Sequence, residues 1–243
     1  MRSVVKLVAR GVARPRVSTN GEVFPAPYRI GAVIVRFFAR MYFRVDYVGL
    51  ENVPTEGGAI LAPNHVSFLD PPLIACRVER PMVFVANEMF FNMQPLGKWM
   101  RQAGGYPVSS SGESTGSMKE VLRALKNGRL LGLFPEGTRS WDGSILPPMA
   151  GVGLLVAATD VPVIPIHVDG AFRAWPRHRR FPTPRKIVIR FGPPVDLDVL
   201  RARKTSDRKH RRDHQRAIAQ TVMDAIENLA PIQQPKRPVV TGN

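Results

Sequence analysis

Ala59-Ile60-Leu61-Ala62-Pro63-Asn64-His65-Val66-Ser67-Phe68-Leu69-Asp70-Pro71-Pro72-Leu73-Ile74-Ala75-Cys76 reads as one strand–loop–helix unit. The apolar run Ala59–Ala62 has the length of a buried strand, and Pro63 closes it. Asp70, two prolines and a second apolar run read as an N-cap followed by a helix over Pro71–Val78. Outward from this unit the same alternation continues. Strands are predicted at Val45–Val48, Met82–Ala86, Leu130–Phe134, Val163–Val168 and Ile187–Phe191, and helices at Pro95–Gln102, Thr115–Lys126, Gly151–Ala158 and Arg208–Leu229. Strands alternating with helices predict an α/β fold, a single domain with a mixed, largely parallel sheet flanked by helices.

His65 and Asp70 are five apart, a spacing that brings two side chains together only if the chain between them turns. With Asp70 at a helix start, its carboxylate accepts a hydrogen bond from one ring nitrogen of His65. The other nitrogen is then free to take a proton from a bound hydroxyl. The plainer alternative is a capping Asp70 and an unrelated loop histidine. Phe134-Pro135-Glu136-Gly137-Thr138-Arg139-Ser140 follows another apolar run and supplies a loop at a strand's C-terminal end, where α/β sheets bind ligands. Gly137 permits a close turn, and Arg139 offers a planar fork for two oxygens of a phosphate or carboxylate. Glu136 either holds that arginine or orients the loop.

Together, the two blocks resemble the glycerolipid acyltransferase family, most closely its 1-acyl-glycerol-3-phosphate acyltransferases, over about Val45 to Val195. The resemblance implies that His65 is the general base and Asp70 its partner. It also implies that Glu136, Gly137, Thr138 and Arg139 bind the acceptor phosphate, and it matches Val161-Pro162-Val163-Ile164-Pro165-Ile166 to an apolar block of the family. The implied reaction is direct acyl transfer from acyl-CoA or acyl carrier protein to the free hydroxyl of 1-acyl-glycerol-3-phosphate, giving phosphatidic acid. No covalent acyl-enzyme, metal or cofactor is implied. Three departures bear on the acceptor: Asn87, Ser110 and Met149 stand where family members commonly carry cations. A different lysolipid acceptor therefore stays open.

The chain has 243 residues, 44% of them hydrophobic, enough for one sizeable core. Its one cysteine forms no intrachain disulfide, and its five histidines show no zinc spacing. There is no Walker loop, dinucleotide glycine fingerprint or G-x-S-x-G elbow, so Ser109-Ser110-Ser111 reads as a polar loop. The formal charge is +16, carried outside the motifs: residues 1–44 hold nine Lys or Arg against one acid, 173–190 seven against none, and 201–216 eight against two. Residues 45–172 hold nine basic and twelve acidic side chains. Basic appendages around a near-neutral centre suit docking on an anionic membrane surface. A non-enzymatic nucleic-acid or anionic-surface binder is the alternative from another class. It predicts aromatic side chains interleaved with the cations, and no such pattern is evident, so no nucleic-acid partner is expected.

Arg2, Lys6, Arg10 and Arg14 recur every four residues, which predicts a short basic helix, and Pro25 and Pro27 read as linker. Tyr28–Arg44 places Arg29, Arg36, Arg40 and Arg44 on one side of a second helix rich in Ile30, Val33, Ile34, Phe37, Phe38 and Met41. Neither helix has the uncharged run needed to cross a bilayer. The expected organisation is a membrane-associating segment over 1–44, an acyltransferase domain over 45–230 and a flexible tail over 231–243. The expected location is the cytoplasmic side of a membrane, peripheral or monotopic.

Overall fold

The structure, a computed structural model, describes residues 26–78, 80, 82–102, 105–108, 115–202 and 208–231. The helix expected over Arg2–Arg14, Ser110 and the tail beyond Pro231 lie outside the described residues. In chain order the elements begin with α1 (Ala26–Met41), β1 (Asp46–Val48), β2 (Ala59–Pro63), α2 (Asp70–Ala75) and β3 (Met82–Asn87). They continue with α3 (Glu88–Asn92), α4 (Leu96–Gln102), β4 (Gly105–Val108), α5 (Thr115–Lys126), β5 (Leu130–Gly132) and α6 (Ala150–Ala157). The last are β6 (Val163–Asp169), α7 (Ala171–Ala174), β7 (Val188–Phe191), α8 (Asp198–Ala202) and α9 (Arg208–Glu227).

The seven strands form one sheet in the order β1-β7-β6-β2-β5-β3-β4. Every pairing is parallel except β6 with β7, so β1 and β7 run against the other five. This is the mixed, largely parallel α/β sheet expected. A sheet covered on both faces needs apolar side chains pointing both ways, and β2 shows why it is central. Ala59 and Leu61 join a core with Leu73, Ile74, Ile164 and Ile166 on the α1–α2 side, while Ile60 and Ala62 face Val121, Leu125, Val156, Ile218 and Val222 on the side of α5, α6 and α9.

Several boundaries differ from expectation. β5 ends at Gly132; Leu133 N–H still donates to the Leu61 carbonyl at 2.9 Å, and the Phe134 ring stacks on His65. Pro27 lies in the first turn of α1 and not in a linker, a position where its missing N–H costs nothing. Asp70 is the first residue of α2, with Leu69 as N-cap. The carbonyls at the far end of this six-residue helix are met by side chains: Tyr47 Oη donates to Leu73 O at 2.9 Å, Tyr28 Oη to Ala75 O at 3.4 Å, and the Arg36 guanidinium to Cys76 O. Arg36 thus faces inward, and α1 turns Ile30, Val33, Ile34, Phe37, Phe38 and Met41 to solvent. Of the four arginines expected to reach outward, Arg36 alone turns in; Arg29, Arg40 and Arg44 are exposed. No described helix is long and apolar enough to cross a membrane.

Gly153 in α6 lies against α9 so closely that a Cβ there would stand 1.7 Å from the Gln215 carbonyl oxygen. Gly153→Ala is therefore expected to push two packed helices apart and cost about 3 kcal/mol, at the upper end for overpacking. A Tm lower by roughly 6–12 °C in a calorimetric scan would follow. Gly151→Ala, with nothing within 4 Å of the new Cβ, is the control and should not lower Tm.

Candidate active site

β2 and β5 are parallel neighbours, so the loops leaving their C-terminal ends emerge side by side. One carries His65 and Asp70, the other Glu136 to Ser140. Asp70 looks back along its own loop: Oδ2 accepts Val66 N–H at 2.8 Å, Ser67 N–H at 2.7 Å and the His65 ring at Nδ1 at 2.9 Å. The expected His–Asp meeting is observed, while the expected N-cap role is corrected, since the carboxylate serves amides before the helix and not within it. An ionised carboxylate only accepts, so Nδ1 carries the proton and Nε2 presents its lone pair.

His65 is held at its other polar atoms too. Its N–H donates to Glu136 Oε1 at 2.6 Å, its carbonyl accepts from Ser140 N–H at 2.8 Å, and its ring stacks on Phe134 at 4.0 Å between centroids. Nε2 alone has no protein partner among the described residues. The side chain is 17% exposed, against 0% for Asp70, so the imidazole meets the outside only at its edge.

Glu136 is 3% exposed, and its second oxygen accepts Leu146 N–H at 2.9 Å. Both oxygens are spent on backbone amides, so of the two alternatives it orients the loop. Burial pushes its carboxyl up to about 7, with the Asp70 charge adding, while the two amide hydrogen bonds pull the other way. Gly137 has φ 65°, and a Cβ there would meet Met149 Sδ at 1.9 Å, which places Met149 directly over the turn. Thr138 is exposed on that turn.

Arg139 lies flat on the Phe68 ring, its guanidinium carbon 3.3 Å from the centroid, and Phe68 in turn contacts Trp175 at 5.6 Å. Nη1 of Arg139 is buried and has no hydrogen-bond partner. Asn64, part of the motif but given no role from sequence, ties the loop to β6: its Nδ2 donates to Val168 O at 3.2 Å and Val168 N–H donates to its Oδ1 at 2.7 Å. Ser67 Oγ likewise donates to Trp175 O at 2.8 Å. Asn87 ends β3, opposite Val108 in β4.

On these two neighbouring loops, His65 Nε2 and Arg139 Nη1 are left without a protein partner among the described residues. A family model described as Acyltransferase matches residues 44–169, more than half of the chain. The chain belongs to the acyltransferase family. It is 30% identical over 181 residues to a 1-acyl-sn-glycerol-3-phosphate acyltransferase of Limnanthes alba, covering 73% of this chain and 63% of that protein. Over 138 residues it is 30% identical to a chloroplastic 1-acyl-sn-glycerol-3-phosphate acyltransferase of Brassica napus, covering 56% of this chain and 40% of that one. The chain thus spans about two fifths to three fifths of the length of these curated relatives. Among solved structures it resembles the 1-acyl-sn-glycerophosphate (LPA) acyltransferase PlsC from Thermotoga maritima, with TM-score 0.63 and 27% identity over 84% of this chain and 78% of that one. Both motifs of this acyltransferase-family chain fall inside the matched segment. Trp175 and Arg177 lie beyond it, and no spacing in the sequence marks them as neighbours of Phe68 and Arg139.

Proposed function

We propose that this protein transfers a fatty acyl group from a thioester of coenzyme A or acyl carrier protein to the free hydroxyl of 1-acyl-glycerol-3-phosphate. The observation that carries the reading is the 2.9 Å contact of His65 Nδ1 with a fully buried Asp70, which leaves Nε2 free on the loop next to the one that carries Arg139 and its unpartnered Nη1. His65 Nε2 takes the hydroxyl proton as the oxygen attacks the thioester carbonyl. The C–S bond breaks as the tetrahedral oxyanion collapses, and the proton passes to the leaving thiolate, giving ester and free thiol. Asp70 keeps the imidazole in the required tautomer and stabilises it when charged. Arg139 holds the head group. No cofactor is needed, because the thioester is already activated.

The outward apolar face of α1 supports a membrane surface as the place of reaction, with basic side chains adding attraction to anionic lipid. The protein then sits peripherally on the cytoplasmic face, where its thioester donors are met. A nucleic acid would find no use for that apolar face, which favours the lipid reading over the nucleic-acid one.

The test is thiol release from acyl-CoA, and from acyl carrier protein loaded with the same chain, by the purified protein with a panel of lysolipids. Lysophosphatidate is expected to give at least tenfold higher kcat/KM than lysophosphatidylcholine or lysophosphatidylethanolamine, since two added head-group interactions of ordinary strength amount to about that factor. Activity confined to the zwitterionic acceptors would overturn the acceptor, and no thiol release with any acceptor would overturn the chemistry.

A further inference from the structure

We propose that Arg177 is a second head-group cation, forming with Arg139 a two-arginine fork that selects a phosphomonoester acceptor; the inference rests on the acyl-transfer reading above. Arg177 follows α7, 38 residues beyond Arg139, yet its Nη1 donates to the Arg139 carbonyl at 3.2 Å. Its guanidinium carbon lies 3.6 Å from the centroid of the Trp141 ring. Each arginine is therefore carried on the face of an aromatic ring, Arg139 on Phe68 and Arg177 on Trp141. The loop that supplies Arg177 also supplies Trp175, which supports Phe68 from behind.

Two like charges brought together this way need a reason. Among the described residues neither guanidinium has an ion-pair partner, and the carboxylate oxygen of Asp70 that hydrogen-bonds is fully used by three N–H groups. Burial and the Arg177 charge both push the Arg139 pKa down, with only Asp70 pulling it back. Ring faces hold a cation without spending its N–H edge. Arg139 Nη1 is buried and Arg177 Nη1 donates to the Arg139 carbonyl; the other guanidinium N–H groups have no protein partner among the described residues. A phosphomonoester at neutral pH carries about −1.5 to −2 charges and three acceptor oxygens, which two guanidinium forks match. A zwitterionic head group brings its own cation toward two arginines and is disfavoured. Met149, which lies over Gly137, brings no charge to that turn.

The experiment is calorimetric titration of wild type, R177Q, R177K and W141A with 1-hexanoyl-glycerol-3-phosphate and with 1-hexanoylglycerol, which lacks the phosphate. R177Q is expected to weaken the phosphate ligand about tenfold and to leave the neutral ligand unchanged, R177K to recover part of the loss, and W141A to weaken the phosphate ligand about threefold. In turnover the same R177Q effect should fall on KM for lysophosphatidate, with kcat retained. Equal weakening of both ligands by R177Q and R177K would mean a purely structural role, and no weakening would mean no role; either overturns the proposal. Should wild type release no thiol while R177Q still weakens phosphate binding, the acyl-transfer reading fails and the arginine pair stands.

Discussion

His65→Ala is expected to lower kcat by about 10²–10⁴-fold, the range over which a positioned general base contributes. Circular dichroism and Tm should stay close to wild type, because the loop is held by groups the substitution leaves in place. Glu136 still accepts the residue-65 N–H, Ser140 still donates to the residue-65 carbonyl, and Asp70 still holds Val66 and Ser67. Asp70→Asn should fall in a similar kinetic range, since a neutral amide neither enforces the Nδ1–H tautomer nor stabilises the imidazolium. Asp70→Ala differs by adding a stability loss, as two buried amides lose their acceptor at about 1–3 kcal/mol each. The check is steady-state thiol release beside a thermal melt. A His65→Ala enzyme within tenfold of wild type would remove the imidazole from the chemistry.

The second large effect concerns attachment. Phe37→Asp combined with Phe38→Asp is expected to reduce partitioning onto anionic vesicles by more than about 100-fold. The two rings are 62% and 50% exposed, and each loses the roughly 1.5–3 kcal/mol that full burial of such a side chain supplies while a carboxylate is brought to an anionic surface. Co-sedimentation with vesicles of mixed phosphatidylcholine and phosphatidylglycerol measures it, and undiminished binding would show that α1 is not the contact. Deleting the whole segment through residue 44 is a poorer experiment than sequence alone suggests. Ala39 and Phe43 are buried in the core with Leu73 and Ile74, and Arg36 holds the Cys76 carbonyl, so the deletion would open the domain as well as remove the anchor.

Much of the fold was legible because β2, β3, β6 and the distal half of α9 carry uninterrupted or correctly spaced apolar residues: Ile218, Val222 and Ile226 are all buried as their spacing requires. β4 was not legible. Gly-Tyr-Pro-Val is four residues with a proline inside, and it survives as a strand at the edge of the sheet, where a missing N–H is tolerated. The short helices α3, α7 and α8 carry no full period of apolar residues to read. In the site, the His65–Asp70 meeting was local and therefore readable. The direction of the Asp70 carboxylate was not, because an aspartate before proline signals a cap whether or not it performs one. Arg177 was hidden by its company, one of seven cations in residues 173–190 that share a simple solvated reading. Its packing on Trp141 and its hydrogen bond to the Arg139 carbonyl single it out.

α2 has one more consequence. Its last carbonyls are gripped by Tyr28 and Arg36 of α1, and its first residue is the carboxylate that holds the His65 ring. Six residues at 1.5 Å each make a strut of about 9 Å between those two ends. On the proposed membrane-surface reading, that strut ties the position of the His65 ring to the helix that would rest on the lipid, so a displacement of α1 is passed on to the base.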